Sequence, residues 1–158
     1  MGKRDKCNVI FIMADQMKAT ASRLYSEIGV ETPNLERMKK NGVQFDNAIT
    51  PHPLCVPART SVMSSKYPHT TGCRRNETLM PEDENHIFKI WKDEGFKLGL
   101  IGKNHCFETE SDLKLFDHLD EFTHTGRNGN RNKMEKGSFS ITDSPIESYD
   151  SYIIAEEA

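Results

Sequence analysis

The stretch NVIFIMA, residues 8 to 14, is an unbroken apolar run rich in β-branched and aromatic side chains. A strand exposed on one face alternates apolar with polar residues. A continuous run is what a strand buried on both faces of a parallel sheet needs. Parallel strands also require crossover connections, usually helices, so helix should alternate with strand along the chain. The following segments supply that alternation. Thr32-Pro33 opens PNLERMKKNG, with Pro33 at the first helical position and Gly42 as the stop. VQFDNAI, residues 43 to 49, reads as a second strand ended by Pro51 and Pro53. PEDENHIFKIWKDEG, residues 81 to 95, predicts a helix with an acidic first turn and Gly95 as its end. FKLGLIG, residues 96 to 102, predicts a third strand running into Lys103, Asn104 and His105. The expected fold is α/β: a mostly parallel sheet flanked by helices.

In such sheets ligands collect beyond the carboxyl ends of the strands. Asp15, Cys55 and the Lys103/His105 pair all follow predicted strands, which makes them candidates for one site. After Cys106 the pattern fades. HTGRNGNRNKMEKGS, residues 124 to 138, is polar and turn-rich, a loop or insertion, and SPIESYDSYIIAEEA, residues 144 to 158, reads as a helix just starting. Residues 1–106 are therefore expected to carry the site, and 107–158 to be a polar continuation of the same domain.

Composition narrows the class without naming an activity. At 158 residues the chain is long enough for one domain with a real core, although 35% hydrophobic residues is low for one. A net charge of −3 argues against a general nucleic-acid binder, while Arg74 and Arg75 form a local basic cluster suited to an anion. No run is long enough to span a bilayer, no signal peptide is read, and no membrane partner is expected. The four cysteines show no CxxC pair, so neither a disulfide framework nor a zinc knuckle is suggested, and a cytoplasmic setting is expected.

In TPHPLCVPARTSVM, residues 50 to 63, Pro57 suits the first turn of a helix and leaves Cys55 at its positive N-terminal end. Arg59 follows four residues later, on the same face. A nucleophile backed by a fixed cation suits attack on an anionic phosphoryl or sulfuryl centre. Taken one at a time, each residue has a plainer reading: Cys55 as a small core hydrophobe, Asp15 as a turn residue, Lys103 and His105 as a solvated loop.

NVIFIMADQ, TPNLERMKKNGVQFDNAIT, PLCVPARTSVMSSKYPHTTG and LGLIGKNH, taken together and in this order, resemble the N-terminal portion of the sulfatase family of the alkaline-phosphatase-like superfamily. CVPAR resembles the C-x-P-x-R signature in which the cysteine is oxidised to formylglycine by a maturation enzyme. The resemblance implies hydrolysis of a sulfate ester. One hydroxyl of the hydrated aldehyde attacks sulfur, and the other loses its proton as the aldehyde re-forms and expels sulfate.

It also implies catalytic roles for Cys55, Arg59, Lys103 and His105, a substrate contact for Asn76, and a structural role for His69. Asp15, with Gln16 and the modified Cys55, would hold a divalent cation, usually calcium, with manganese or magnesium as alternatives. Many relatives carry two adjacent aspartates where this chain has Asp15-Gln16. The DQ form resembles choline-sulfatase-like and phosphonate-monoester-hydrolase-like members, which leaves a phosphonate or phosphodiester substrate open. The family's remaining metal ligands lie further downstream, so the resemblance is to the first part of a longer enzyme. A non-catalytic fragment that binds a partner through a sheet edge is the reading from another class.

Overall fold

The computed structural model describes residues 7–107, 109–123, 126–127, 145, 147 and 150–158. The expected loop over 124–138 falls almost wholly outside them. The chain divides into two compact units, Met1–Ile49 and Thr50–Ala158.

The first unit holds a 3-10 turn, Ala19–Ala21, and one helix, α1 (Pro33–Asn41). α1 starts as expected, with Pro33 at its first turn, and stops at Gly42. Before it, residues 18–32 fold back on themselves around Ser22. The Ser22 hydroxyl lies 2.7 Å from the Thr32 hydroxyl and accepts the Leu24 amide at 3.2 Å. An isolated parallel bridge joins Ser22 to Val30. Gly29 packs so closely there that a Cβ would lie 2.4 Å from the Ser22 carbonyl carbon, so only glycine fits.

Neither predicted strand of this unit forms a ladder among the described residues: 8–14 and 43–49 are irregular. A strand is made by its neighbours. An apolar β-branched run supplies the preference, but its amides and carbonyls need adjacent chains to pair with.

The second unit contains the helices α2 (Cys55–Ser64), α3 (Pro68–Thr71) and α4 (Ile87–Asp93), then strand β1 (Gly99–Gly102). These are followed by α5 (Glu110–Leu113), β2 (His118–Thr123), β3 (Gly126–Arg127) and α6 (Asp150–Glu157). The sheet order is β1-β2-β3. β1 runs parallel to β2 with Gly99 opposite His118 and Gly102 opposite Glu121, and β2 runs antiparallel to β3. The chain from β1 through α5 to β2 is thus a parallel crossover unit, the expected α/β arrangement with a shorter third strand than predicted and a β2 that the sequence pattern did not show.

α4 starts at Ile87, later than Pro81. The acidic residues expected in its first turn instead form a turn of their own, closed by the Glu84 amide to the Pro81 carbonyl at 3.0 Å. Lys89 reaches back from α4 to the carbonyls of Glu82 and Glu84, at 2.6 and 2.9 Å. Gly95 ends the helix as expected, its amide bonded to the Lys92 carbonyl at 2.9 Å.

The core lies between α4, β1 and the segment after β1. Val56, Cys73, Met80, Leu98, Cys106, Phe107 and Phe116 are buried, with Phe88, Trp91 and Phe96 packed against them. Phe88 meets Trp91, Phe107 and Phe116 edge-on, at ring separations of 5.8, 6.0 and 5.2 Å, the favoured aromatic geometry. Asp117 seats β1 beside β2's start: its Oδ2 accepts the Leu98 amide and the Lys92 ammonium, each at 2.8 Å. α6 lies on β1. Gly102 has φ +103°, and a Cβ there would sit 3.4 Å from Ile154 Cδ1, so glycine serves both the backbone and the close approach. No helix among the described residues is long and apolar enough to cross a membrane.

Candidate functional site

α2 begins at Cys55, with Leu54 as the residue before it and Pro57 buried within the first turn, as the sequence predicts. Cys55 is half-buried at the helix's N-terminal end, where unpaired amides and the aligned peptide dipoles favour negative charge. The Val56 amide, next in line, donates to Asn76 Oδ1 at 3.2 Å. Asn76 therefore reaches the neighbour of Cys55 from 20 residues away and satisfies a helix amide that would otherwise be orphaned.

β1 delivers the second half of the site. Beyond Gly102 the chain turns, and Lys103 places its Nζ 3.7 Å from Cys55 Sγ. Arg59, buried on α2, donates from Nη1 to the Lys103 carbonyl at 2.6 Å and lies 3.5 Å from that of Asn104. The guanidinium thus ties α2 to the loop that carries the lysine.

The loop itself is shaped by Asn104, to which the sequence pattern assigns no role beyond following the third strand. Its Oδ1 accepts the amides of Cys106 and Phe107 at 3.2 and 3.3 Å, and its Nδ2 donates to the Phe107 carbonyl at 2.5 Å. That is asparagine's usual turn chemistry, buried here. His105, between them, takes a left-handed backbone, φ +56°. Cys55, Arg59, Asn76, Lys103 and His105 therefore belong to one neighbourhood of the second unit, on α2 and the loops that abut it.

Asp15 and Gln16 belong to the first unit. They form a turn at the end of the 8–14 run, with Gln16 left-handed at φ +55°. Their side chains offer hard oxygen donors of the type calcium and magnesium prefer. Among the described residues no three of His, Cys, Asp and Glu cluster as a metal site. His69 stacks on Tyr67 at 5.6 Å, a packing role.

The remaining thiols are differently placed. Cys106 is buried, and desolvation pushes its pKa up to about 12 despite the Arg59 charge nearby. Cys73 is buried with its Sγ 3.2 Å from the Leu79 carbonyl, and Cys7 is exposed in the first unit. Only Cys55 combines partial access with a helix N-terminus and an adjacent ammonium.

A half-buried cysteine under a lysine, at the start of a helix braced by a buried arginine, is a centre built to receive an anion. The sulfatase family model matches residues 7–156. The chain belongs to the sulfatase family. It is 36% identical over 100 residues to an ulvan-active sulfatase of Formosa agariphila, covering 63% of this chain and 20% of that one. To an N-acetylglucosamine-6-O-sulfatase of Bacteroides thetaiotaomicron it is 30% identical, covering 70% of this chain and 19% of that one. The sulfatase-family chain also superposes, with a TM-score of 0.67 and 27% identity, on a solved protein in complex with its substrate D-glucosamine-2-N,6-O-disulfate. That match covers 74% of this chain and 23% of the other. The chain spans about a fifth of the length of the curated relatives it matches.

Proposed function

We propose that this chain carries the nucleophile-bearing part of an enzyme that hydrolyses a sulfate ester, with Cys55, converted to formylglycine, as the attacking residue. The observation that supports it most is the Lys103 ammonium 3.7 Å from Cys55 Sγ at the N-terminus of α2. The oxidation of the thiol is the work of a separate maturation enzyme. One hydroxyl of the hydrated aldehyde would bond to sulfur as the sulfur–oxygen bond to the substrate's alcohol breaks and the alcohol leaves protonated; deprotonation of the second hydroxyl would then re-form the aldehyde and break its bond to the sulfate, which departs. Lys103 would balance charge on the sulfate oxygens, and His105 would hydrogen-bond the nucleophile or the leaving group. Arg59 holds the Lys103 carbonyl and so fixes the ammonium over Cys55. Asn76 would face substrate only beside its bond to the Val56 amide.

Asp15 and Gln16 would hold a divalent cation, calcium first by donor chemistry, with further oxygen ligands to complete its shell. Bound there, the cation supplies Lewis-acid charge stabilisation. Carbohydrate sulfates are the favoured substrate class, since two similar relatives are an ulvan-active and an N-acetylglucosamine-6-O-sulfatase. Gln16, neutral where many relatives have a second aspartate, favours keeping a phosphonate or phosphodiester as the second reading, as in choline-sulfatase-like and phosphonate-monoesterase-like members.

The test is peptide mapping of protein made beside a maturation enzyme, with turnover measured on paired sulfate and phosphonate esters. An aldehyde at Cys55 and sulfate release that vanishes in Cys55→Ala are expected. A bare thiol, in cells that convert another sulfatase, would sink the maturation claim. Absent turnover and absent metal in the complete protein would instead support a non-catalytic, partner-binding role.

A further inference from the structure

The roles above leave the loop between α3 and α4 only partly used. Its first part, Gly72 to Met80, is pinned at several points. Cys73 and Met80 are buried at its two ends, and Cys73 Sγ donates to the Leu79 carbonyl at 3.2 Å, closing the loop's neck. The Met80 amide donates to the Cys106 carbonyl at 2.8 Å, joining the loop to the segment that carries Lys103. At mid-loop Asn76 accepts the Val56 amide, one residue from Cys55. Further bonds, the Arg74 amide to the Gly72 carbonyl at 2.8 Å and the Thr78 amide to the Arg75 carbonyl at 3.2 Å, set the backbone between these anchors.

Arg74 and Arg75, directly before Asn76, are exposed. Four lysines of this unit are ion-paired: Lys66, Lys89, Lys92 and Lys114 each approach a carboxylate within 3.4 Å. Neither Arg74 nor Arg75 has an ion pair or side-chain hydrogen bond among the described residues, and Glu77, the loop's acidic residue, leaves it net positive. Two adjacent, uncompensated guanidiniums are thus held on a fixed backbone beside the nucleophile's helix. Consecutive Cα atoms lie about 3.8 Å apart, so Arg75 is one residue's step from the asparagine bonded at α2's first turn. A guanidinium offers a planar fork of donors suited to sulfate and carboxylate oxygens, and an anchored backbone reduces the ordering cost of binding.

Resting on the sulfate-ester reading, we propose that Arg74 and Arg75 form a subsite for a second anionic group, sulfate or carboxylate, on the same molecule whose ester is presented to Cys55. The enzyme's preferred substrates are then polyanionic sulfate esters rather than isolated monosulfates. Asn76, between this subsite and α2, links recognition of the second anion to the nucleophile's position.

The experiment uses protein expressed from its complete reading frame, with Cys55→Ala to prevent turnover. Calorimetry compares glucosamine 6-sulfate, glucosamine N,6-disulfate, and a disaccharide bearing one sulfate and one carboxylate. The double variant R74Q/R75Q should reduce affinity for the two dianionic ligands by about tenfold or more, the scale of one charged hydrogen bond, and leave the monosulfate within about twofold. The retained monosulfate affinity doubles as the check that the site is intact. The single variants R74Q and R75Q repeat the comparison should the pair disturb folding. Equal losses on all three ligands, or no loss on any, overturn the proposal, and a larger loss on one dianion identifies which group the subsite takes. Turnover by the unsubstituted enzyme is assayed separately. Its failure would count against the sulfatase reading and leave the arginine comparison readable.

Discussion

In the first unit Ile10, Ile12, Val43 and Ile49 are exposed by 85, 78, 79 and 89%, and the one buried residue among those described is Ser22, a hydroxyl. In the second unit Val56 and Cys73 are fully buried and seven apolar side chains form a continuous core. Both units contain β-branched and aromatic runs of similar look. The difference is that β1 finds β2 to pair with and α6 to lie on it, whereas the runs 8–14 and 43–49 pair with nothing among the described residues. An apolar run states a preference for burial, and burial is realised only where a second element supplies the other wall. The division matters for chemistry too. Cys55, Lys103 and Arg59 sit on the packed unit, where Arg59 bonds the Lys103 carbonyl. Asp15 and Gln16, the proposed metal donors, sit on a turn of the first unit.

The largest contrast should be chemical. At pH 8 a thiol with a pKa near 12 is ionised in roughly one molecule in ten thousand, so Cys106 should alkylate slowly even before access is considered. Cys7 is exposed in the first unit and open to the reagent. With iodoacetamide and mass-spectrometric readout, Cys7 should label at least about a thousandfold faster than Cys106. Comparable rates would mean that the second unit's core opens readily, and the contrast between the two regions would fail.

A smaller contrast should appear in stability. Phe107 is 1% exposed, stacked on His86 and Phe116 and edge-on to Phe88, so Phe107→Ala should cost about 3–5 kcal/mol of the second unit's unfolding free energy. Ile10→Ser, on the exposed run, should change it by less than about 0.5 kcal/mol. Urea titrations of both variants make the comparison. A costly Ile10→Ser would show that the 8–14 run is packed in solution and that the sequence's strand preference is met.

Much of the site could be read from sequence because its signals are local. Pro57 two residues after Cys55, Arg59 four after it, Gly42 and Gly95 as helix stops and an apolar FKLGLIG before Lys103 all act within a turn or two of themselves, and α1, α2, β1 and the end of α4 follow them. β2 is not legible in sequence because HLDEFT interleaves charge with apolar residues. Its place is set by Asp117 on the Leu98 amide, a contact across 19 residues. The Asn76 bond to Val56 is equally non-local. Asn104 is different: an asparagine two residues after a strand-ending glycine is a local turn signal in itself. The Asp15 and Gln16 assignment rests on family resemblance, since two oxygen donors on a turn do not specify a metal.

The least effect, and the most specific, concerns the polar cluster inside the packed unit. His86 is buried at the start of α4, stacked on Phe107 at 5.5 Å, with Nε2 3.3 Å from Asp112 Oδ1. Asp112 is fully buried and also takes the Thr109 hydroxyl at 2.7 Å and approaches Lys89 Nζ at 3.4 Å. Two influences on His86 oppose each other. Burial disfavours the imidazolium, while the Asp112 carboxylate favours it, with Lys89 and Glu84 adding smaller effects of opposite sign. Desolvation is the largest, so the pKa lies below the ordinary 6.5. The sign follows from linkage. With the folded value depressed, the unfolded chain takes up the proton more readily, so stability is full above 6.5 and declines as pH falls from there toward the folded pKa. One group contributes at most about 1.4 kcal/mol per pH unit. Denaturation between pH 7 and pH 5 should therefore show the natural protein losing stability on acidification more steeply than His86→Gln, whose amide can still donate to Asp112 but does not titrate. Parallel curves would remove His86 from the account. A natural protein that gains stability on acidification relative to the variant would show that Asp112 outweighs burial, and that the core of the packed unit holds an ion pair where desolvation calls for a neutral ring.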